Sequence, residues 1–521
     1  MGRVLVFVIF FSLWSFGKYL TFEEIHKMPK GVAKNYYIWR FISQKSTTKE
    51  QAKKIIKEAT RINYLLKKAY IKKTGLKPPK VSGALRYSRN THKIPKKVDK
   101  NTKRKREITK KILSSPNPVL AWQAQPPSIQ IFSFNYGGKA GRKKLDHTPT
   151  ISNWQNLTKH WGIDRFIRIL RKENLPKFRK VLFYPPAEDA KIGYKNLMWM
   201  GFLNLQRGNT KVAELDFALA VSKARVREDA DRALFWAWKA RGNRVYLKRL
   251  SKSYSINIYT LAARDALGMK YDLGITPKLP KKKINFDIKD PVEWIELKKK
   301  IFSKKTNLLA LASHFKSEES VGIYSYIMTK ASRDKDQYFP MPYREYLSKF
   351  PIKRQAIIYA IARQESKFIP ASISASYALG MMQIMPFLVR HLAKKQKELV
   401  DYDDMFNPRI ALKYGNKHLD YLTKWLQHPL FVAYAYNAGI GYTRKLITKG
   451  DLFVKKNRYE PWLSIEKVPN LQANEYGKRV LANYVIYLNK LGYQIRITDL
   501  VNSLTNINIT DKFRIRKFKK R

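Results

Sequence analysis

Glu365 is the residue of this chain best placed for acid–base chemistry. It follows an apolar, alanine-rich run from Ile352 to Ala362, which predicts a largely buried helix over Arg354 to Lys367 that ends ahead of Pro370. A carboxyl in the last turn of such a helix sits near the negative end of the helix dipole, among apolar neighbours. Both influences raise its pKa, and so hold a general acid protonated near neutrality. A lone glutamate at a helix end is more often plain solvent-exposed surface, so its surroundings have to decide between the two readings.

Residue types exclude several other chemistries. With no cysteine there is no thiolate nucleophile, thiolate zinc site or disulfide framework. The eight histidines form no HExxH pair, no Walker loop is completed, and Gly439-Ile440-Gly441 lacks the rest of a dinucleotide fingerprint. No metal and no cofactor are expected. A second carboxylate is needed by a hydrolase of glycosidic bonds, and the nearest cluster is Asp401, Asp403 and Asp404. That cluster lies in a polar stretch between helices and reads as solvated loop charge.

The segment Ala362-Arg363-Gln364-Glu365-Ser366, with Ser374 and then Ala378-Leu379-Gly380-Met381-Met382-Gln383-Ile384-Met385-Pro386, resembles the signature of the soluble lytic transglycosylases. Ala435-Tyr436-Asn437-Ala438-Gly439 resembles that family's third block, and Phe406-Asn407-Pro408 with Gly415 and Leu419 its intervening helix. The resemblance is strongest over residues 340–495. It implies an all-α, goose-lysozyme-like domain that cleaves peptidoglycan between MurNAc and GlcNAc without consuming water, leaving a 1,6-anhydro ring. Glu365 would act first as acid and then as base, with the substrate's N-acetyl group meeting the developing positive charge. Within that scheme Ser374 and Tyr436 can orient the carboxyl, Gln383 and Asn437 can hold sugar hydroxyls or N-acetyl groups, and Met385 offers an apolar wall. Tyr476 and Lys478 are further candidate groove contacts. The chain departs from the family pattern at Tyr377, where glycine is usual and a ring could reshape a sugar subsite. It departs also at Asn407 and Ala411, and at Gln472, which replaces a glutamate near the groove.

The elements that must carry this site come from a chain of 521 residues, long enough for two or three domains. Arg3 followed by the apolar run Val4 to Phe16 reads as a signal peptide over 1–17, shorter than the roughly 20 residues a membrane span needs. From about Ala33 to Leu267 the pattern is helical almost throughout, within a domain expected over 18–280. Arg207-Gly208-Asn209 recurs as Arg241-Gly242-Asn243 at the length of a tetratricopeptide-like unit, which predicts an α-superhelix. Two unrelated glycine caps are the simpler alternative. Trp154, Trp161, Trp199, Trp236 and Trp238 could line such a superhelix along a glycan strand, or fill its core. A Lys- and Arg-rich stretch over 72–111 is expected to be a mobile, solvated insertion. Residues 281–339 form a small helical linker module, 340–500 the catalytic domain, and 501–521 a basic extension.

The formal charge of +65 draws the protein toward polyanions. Peptidoglycan strands are the expected partner, together with wall synthesis or remodelling proteins, and the export signal implies the periplasm and no nucleic acid. The competing readings are a muramidase-type hydrolase, and a non-catalytic basic helical-repeat protein that binds wall or nucleic acid.

Overall fold

Helix α1 (Val32–Ser43) is apolar on nearly every face and buries Tyr36, Tyr37, Ile38, Trp39, Phe41 and Ile42. A helix of that kind must be covered on all sides. With α2 (Tyr64–Thr74) it belongs to a compact unit formed by residues 20–81 and 272–518 of the computed structural model, which describes residues 20–81 and 100–518. Residues 100–271 form a second unit. The single superhelix expected over 18–280 is therefore divided, its first helices joining the unit that holds Glu365. Both units are helical, and among the described residues β-pairing is limited to isolated bridges. No described helix is long and apolar enough to cross a membrane, and the expected signal peptide lies outside the described residues.

In the second unit, α3 (Lys100–Ser114) packs on α4 (Pro127–Tyr136). Helices α5 (Tyr194–Gln206), α6 (Thr210–Lys223), α7 (Arg227–Arg241), α8 (Arg244–Ser251) and α9 (Ile258–Ala266) then pack each against the next. The repeated Arg-Gly-Asn marks equivalent turns. Gly208 and Gly242 end α5 and α7 in the left-handed region, and Asn209 and Asn243 precede α6 and α8. Glu214 on α6 ties the later turn down by accepting from Arg241 at 3.1 Å and Asn243 at 3.3 Å. Trp154 and Trp236 are core residues, whereas Trp161 is 83% exposed.

The expected mobile insertion is corrected at its two ends, where α2 runs to Thr74 and α3 starts at Lys100. Amid its lysines α3 carries Ile108 and Ile112 on one face; Ile112 is buried, and the Thr109 hydroxyl lies 3.1 Å from that of Ser133. Residues 82–99 of the insertion lie outside the described residues.

In the first unit, α10 (Pro291–Phe302) and α11 (Val321–Ala331) build the small module. Its core of Trp294, Leu297, Ile301, Ile323 and Ile327 also includes Ile369 and Ala371, just beyond Glu365 in sequence. The module is thus continuous in packing with the segment that carries the candidate acid. The remaining principal helices are α12 (Ile352–Glu365), α13 (Pro386–Gln396), α14 (Pro408–Thr423), α15 (Pro429–Ala438) and α16 (Leu471–Lys490). Helix α12 packs on α16, and α16 on α15. At the second crossing Gly477 is required, because a Cβ there would strike the Tyr434 ring.

The basic tail does not extend into solvent over its described length. Asp511 and Arg514 form a buried ion pair of 2.6 Å ahead of and within α17 (Lys512–Phe518). Arg514 also donates to the carbonyls of Phe453 and Leu504, and Phe513 stacks on Trp425 at 5.2 Å. Asp511→Ala strands the guanidinium in the interior, and is expected to lower unfolding free energy by about 3–5 kcal/mol in urea titrations. A change below about 1 kcal/mol would mean that the tail is not docked in solution.

Candidate active site

Helix α12 is the central helix of its unit, with every residue from Ala356 to Ala362 buried. Such a helix delivers its last residue into the interior. Glu365 occupies that end, two residues before the predicted boundary, because Lys367 and Phe368 both turn into the left-handed region. The helix end is held by Arg363, which donates to the Tyr338 carbonyl at 2.8 Å and to Asn483 Oδ1 at 2.6 Å, with its guanidinium over the Phe339 ring.

Burial pushes the Glu365 carboxyl up from 4.5 to about 7, opposed by one hydrogen bond that Tyr476 donates to Oε1 at 2.7 Å. Among the described residues no charged group contributes to that shift. Burial, and then the nearness of Glu365, holds the Tyr436 and Tyr476 hydroxyls well above their ordinary range, so both stay protonated donors. Tyr476 and Asn483 lie seven residues apart on one face of α16. One meets Glu365 and the other meets Arg363, so a single helix face sets the geometry of the acid.

The signature loop 372–383 closes on itself. Ser374 Oγ accepts from the Ala378 amide at 2.9 Å, and the Gln383 side-chain amide donates to the carbonyls of Gly380 at 2.8 Å and Ser372 at 3.1 Å. Bridges Ile373 to Leu379 and Leu379 to Ile384 pin its middle. Gly380, at φ 70°, lies so close to the Met405 carbonyl that a Cβ would collide with it. The Tyr436 hydroxyl donates to the Met382 carbonyl at 2.7 Å, joining this loop to α15.

Of the residues singled out by sequence, Glu365, Tyr436 and Tyr476 are brought together. Of the three hydroxyls, that of Tyr476 donates to the Glu365 carboxyl, that of Tyr436 donates to the Met382 carbonyl, and that of Ser374 accepts within its own loop. Ser374 and Gln383 spend part of their hydrogen-bonding capacity on the loop, leaving the serine O–H and the glutamine oxygen for other partners. Met385 caps the start of α13, and Asn437 is half-buried in the last turn of α15. Lys478 is buried and paired with Glu475 at 2.6 Å rather than with Glu365.

Sequence reasoning overlooked His418 on α14. Its ring lies 5.2 Å from that of Tyr436, and burial lowers its pKa to about 4, which keeps it neutral. The acidic cluster is also corrected. Asp401 and Asp403 are held by Arg40 at 2.7 and 2.8 Å, and Asp403 accepts from the Tyr36 hydroxyl at 2.6 Å, so the cluster is a structural anchor and not loop charge. Tyr377, 1% exposed, packs beneath α1 and does not shape a subsite from its ring. Among the described residues no cluster of histidine or carboxylate side chains has the makings of a metal site.

Residues 343–458 match the family model described as Transglycosylase SLT domain. That segment includes Glu365, Ser374, Gln383, Met385, Tyr436 and Asn437, and stops short of Tyr476 and Lys478. The chain is 26% identical over 215 residues to the soluble lytic murein transglycosylase of Salmonella typhimurium, a match covering 40% of this chain and 32% of that protein. The Escherichia coli K12 protein of the same description is 26% identical over 217 residues, with the same two shares. The match thus spans about a third of the length of these relatives. Among solved structures, a lytic transglycosylase from Pseudomonas aeruginosa aligns at TM-score 0.42 and 16% identity, covering 89% of this chain and 80% of that one. The 70 kDa soluble lytic transglycosylase of Escherichia coli aligns at TM-score 0.43 and 16% identity, covering 92% and 83%.

Proposed function

We propose that this chain, in which residues 343–458 belong to the transglycosylase SLT domain family, is a peptidoglycan lytic transglycosylase. It cleaves the β-1,4 bond between MurNAc and GlcNAc and leaves a 1,6-anhydroMurNAc end. The observation that carries this reading is a half-buried carboxyl, at about 7, with a tyrosine donor and, among the described residues, no carboxylate partner. A group titrating there is poised to give a proton and then take one back.

In the first step protonated Glu365 donates to the glycosidic oxygen as the C1–O bond breaks, and the GlcNAc unit leaves as an alcohol. The electron-poor C1 is met by the N-acetyl oxygen of the same sugar. In the second step the Glu365 carboxylate takes the proton from the 6-hydroxyl as that oxygen bonds to C1 and displaces the N-acetyl oxygen, which restores the acid and the neutral amide. Tyr476 stabilises the carboxylate between the two steps. Ser374, Gln383, Asn437 and Tyr436 are assigned to hold and orient the sugars, Met385 to wall the subsite, and Lys478 to support the groove through α16. No water enters the balance, so no second carboxylate is needed to activate one. Hydrolysis is the weaker reading because Asp401 and Asp403 are committed to Arg40. We place the protein in the periplasm, on the signal-like residues 1–17 and on the location of the substrate.

Purified sacculi incubated with the protein should release soluble muropeptides; sacculi left intact would remove the assignment. The Tyr476 bond lowers the Glu365 pKa, so Tyr476→Phe should raise it above about 7. The alkaline limb of the kcat/KM profile, where the acid loses its proton, then moves to higher pH. A limb that stayed in place or moved to lower pH would contradict this role for Tyr476.

A further inference from the structure

We infer that helices α1 and α2 position the signature loop 372–383 for gripping the glycan, with Trp39, Arg40 and Tyr377 as positioning residues. The inference rests on the function proposed above and deepens it. Tyr377 sits at φ 66°, a backbone conformation that bulky side chains disfavour. Its surroundings must therefore hold it there, and what holds it comes from the far N-terminal end of the sequence. The Tyr377 hydroxyl donates to the Asn35 carbonyl at 2.9 Å, and its ring stacks on Trp39 at 5.5 Å and meets Tyr36 edge-on at 5.8 Å. Two residues before it, the Ala375 carbonyl accepts from Asn63 Nδ2 at 3.0 Å, just ahead of α2.

Helix α1 is itself anchored next to the loop's other neighbour. Arg40 forks onto Asp401 with bonds of 2.9 and 2.7 Å and reaches Asp403 at 2.8 Å, while Trp39 packs against Tyr402 at 5.4 Å. The same 401–406 segment supplies the Met405 carbonyl that Gly380 packs against. The loop is thus gripped between α1 and 401–406. It carries Ser374 and Gln383, and its Met382 carbonyl fixes Tyr436. Loss of the α1 contacts loosens sugar-holding groups without touching the carboxyl, whose bond comes from α16. This also accounts for a tyrosine where glycine is usual. Here the left-handed position is held by packing on α1.

The test uses the full chain with Trp39→Ala, Trp39→Phe and Tyr377→Phe, the last removing only the bond to Asn35. For Trp39→Ala, KM for glycan fragments is expected to rise about tenfold with kcat within about threefold and its pH profile unmoved, and Trp39→Phe should recover most of the loss. Amide exchange at Tyr377, Ala378 and Leu379 should accelerate about tenfold while that at Ala362 to Ser366 stays unchanged. Tyr377→Phe should show the same pattern in weaker form, which serves if Trp39→Ala does not fold. Unchanged KM together with unchanged loop exchange would overturn the inference, as would a kcat or pH-profile change as large as that in KM. A wild-type protein that cleaves no glycan overturns the function proposed above instead, and the exchange measurement then judges the positioning role by itself.

Discussion

Glu365→Gln is expected to lower glycan cleavage by about a thousandfold or more while leaving binding of glycan fragments within a few-fold of wild type. The amide can neither give nor take the proton, yet fills the same volume and can still accept from Tyr476. The variant also carries a stability signature with a defined sign. The folded-state pKa is raised, from 4.5 to about 7, so the folded protein holds a proton that the unfolded chain has released within that window. Wild-type stability is therefore fully present below 4.5 and falls as pH rises through about 7, by up to about 3 kcal/mol at this degree of burial. Glutamine has no such term. Urea midpoints should thus rise for Glu365→Gln relative to wild type on going from pH 4 to pH 8. A variant that keeps wild-type cleavage removes Glu365 from the chemistry. A relative midpoint that is flat or falls over that range removes the raised pKa.

Gly380→Ala is the second large effect, and it touches no reacting group. Its Cβ would collide with the Met405 carbonyl, and φ is 70°. Left-handed strain adds to overpacking against backbone that cannot swing aside, for about 2–5 kcal/mol in total. Because the same loop carries Ser374 and Gln383, cleavage should fall more than tenfold even where the protein remains folded. Gly208→Ala is the control, also left-handed but with open space around it, and should cost about 1–2 kcal/mol with cleavage unaffected. Equal losses from the two substitutions would mean that the tight approach to Met405 does not matter.

The position of Glu365 at the end of a buried helix was legible because a carboxyl ending an apolar helix is a local pattern, and the blocks around it are local patterns as well. The helical character of the chain and the paired turns at Gly208 and Gly242 were legible for the same reason. What escaped was long-range. Asp401 and Asp403 looked like solvated charge because their partner, Arg40, lies some 360 positions away. Nothing near Tyr377 in sequence points to Asn35, and nothing in the string of lysines and arginines near residue 515 shows that Arg514 is buried against Asp511. That the hydroxyl of Tyr476, and not that of Tyr436, donates to the carboxyl has a related cause. Which hydroxyl reaches the carboxyl depends on how α16 crosses α12, although the seven-residue spacing of Tyr476 and Asn483 was a readable sign that one face of α16 meets that helix end.

In the proposed mechanism one carboxyl does both proton transfers, and the sugar's own 6-hydroxyl, not water, closes onto C1. Mass analysis of the muropeptides released from sacculi tests it most directly. MurNAc ends lighter by one water than reducing ends are expected with wild type and are expected to be absent with Glu365→Gln; reducing MurNAc ends as the main product would overturn the ring-closure mechanism.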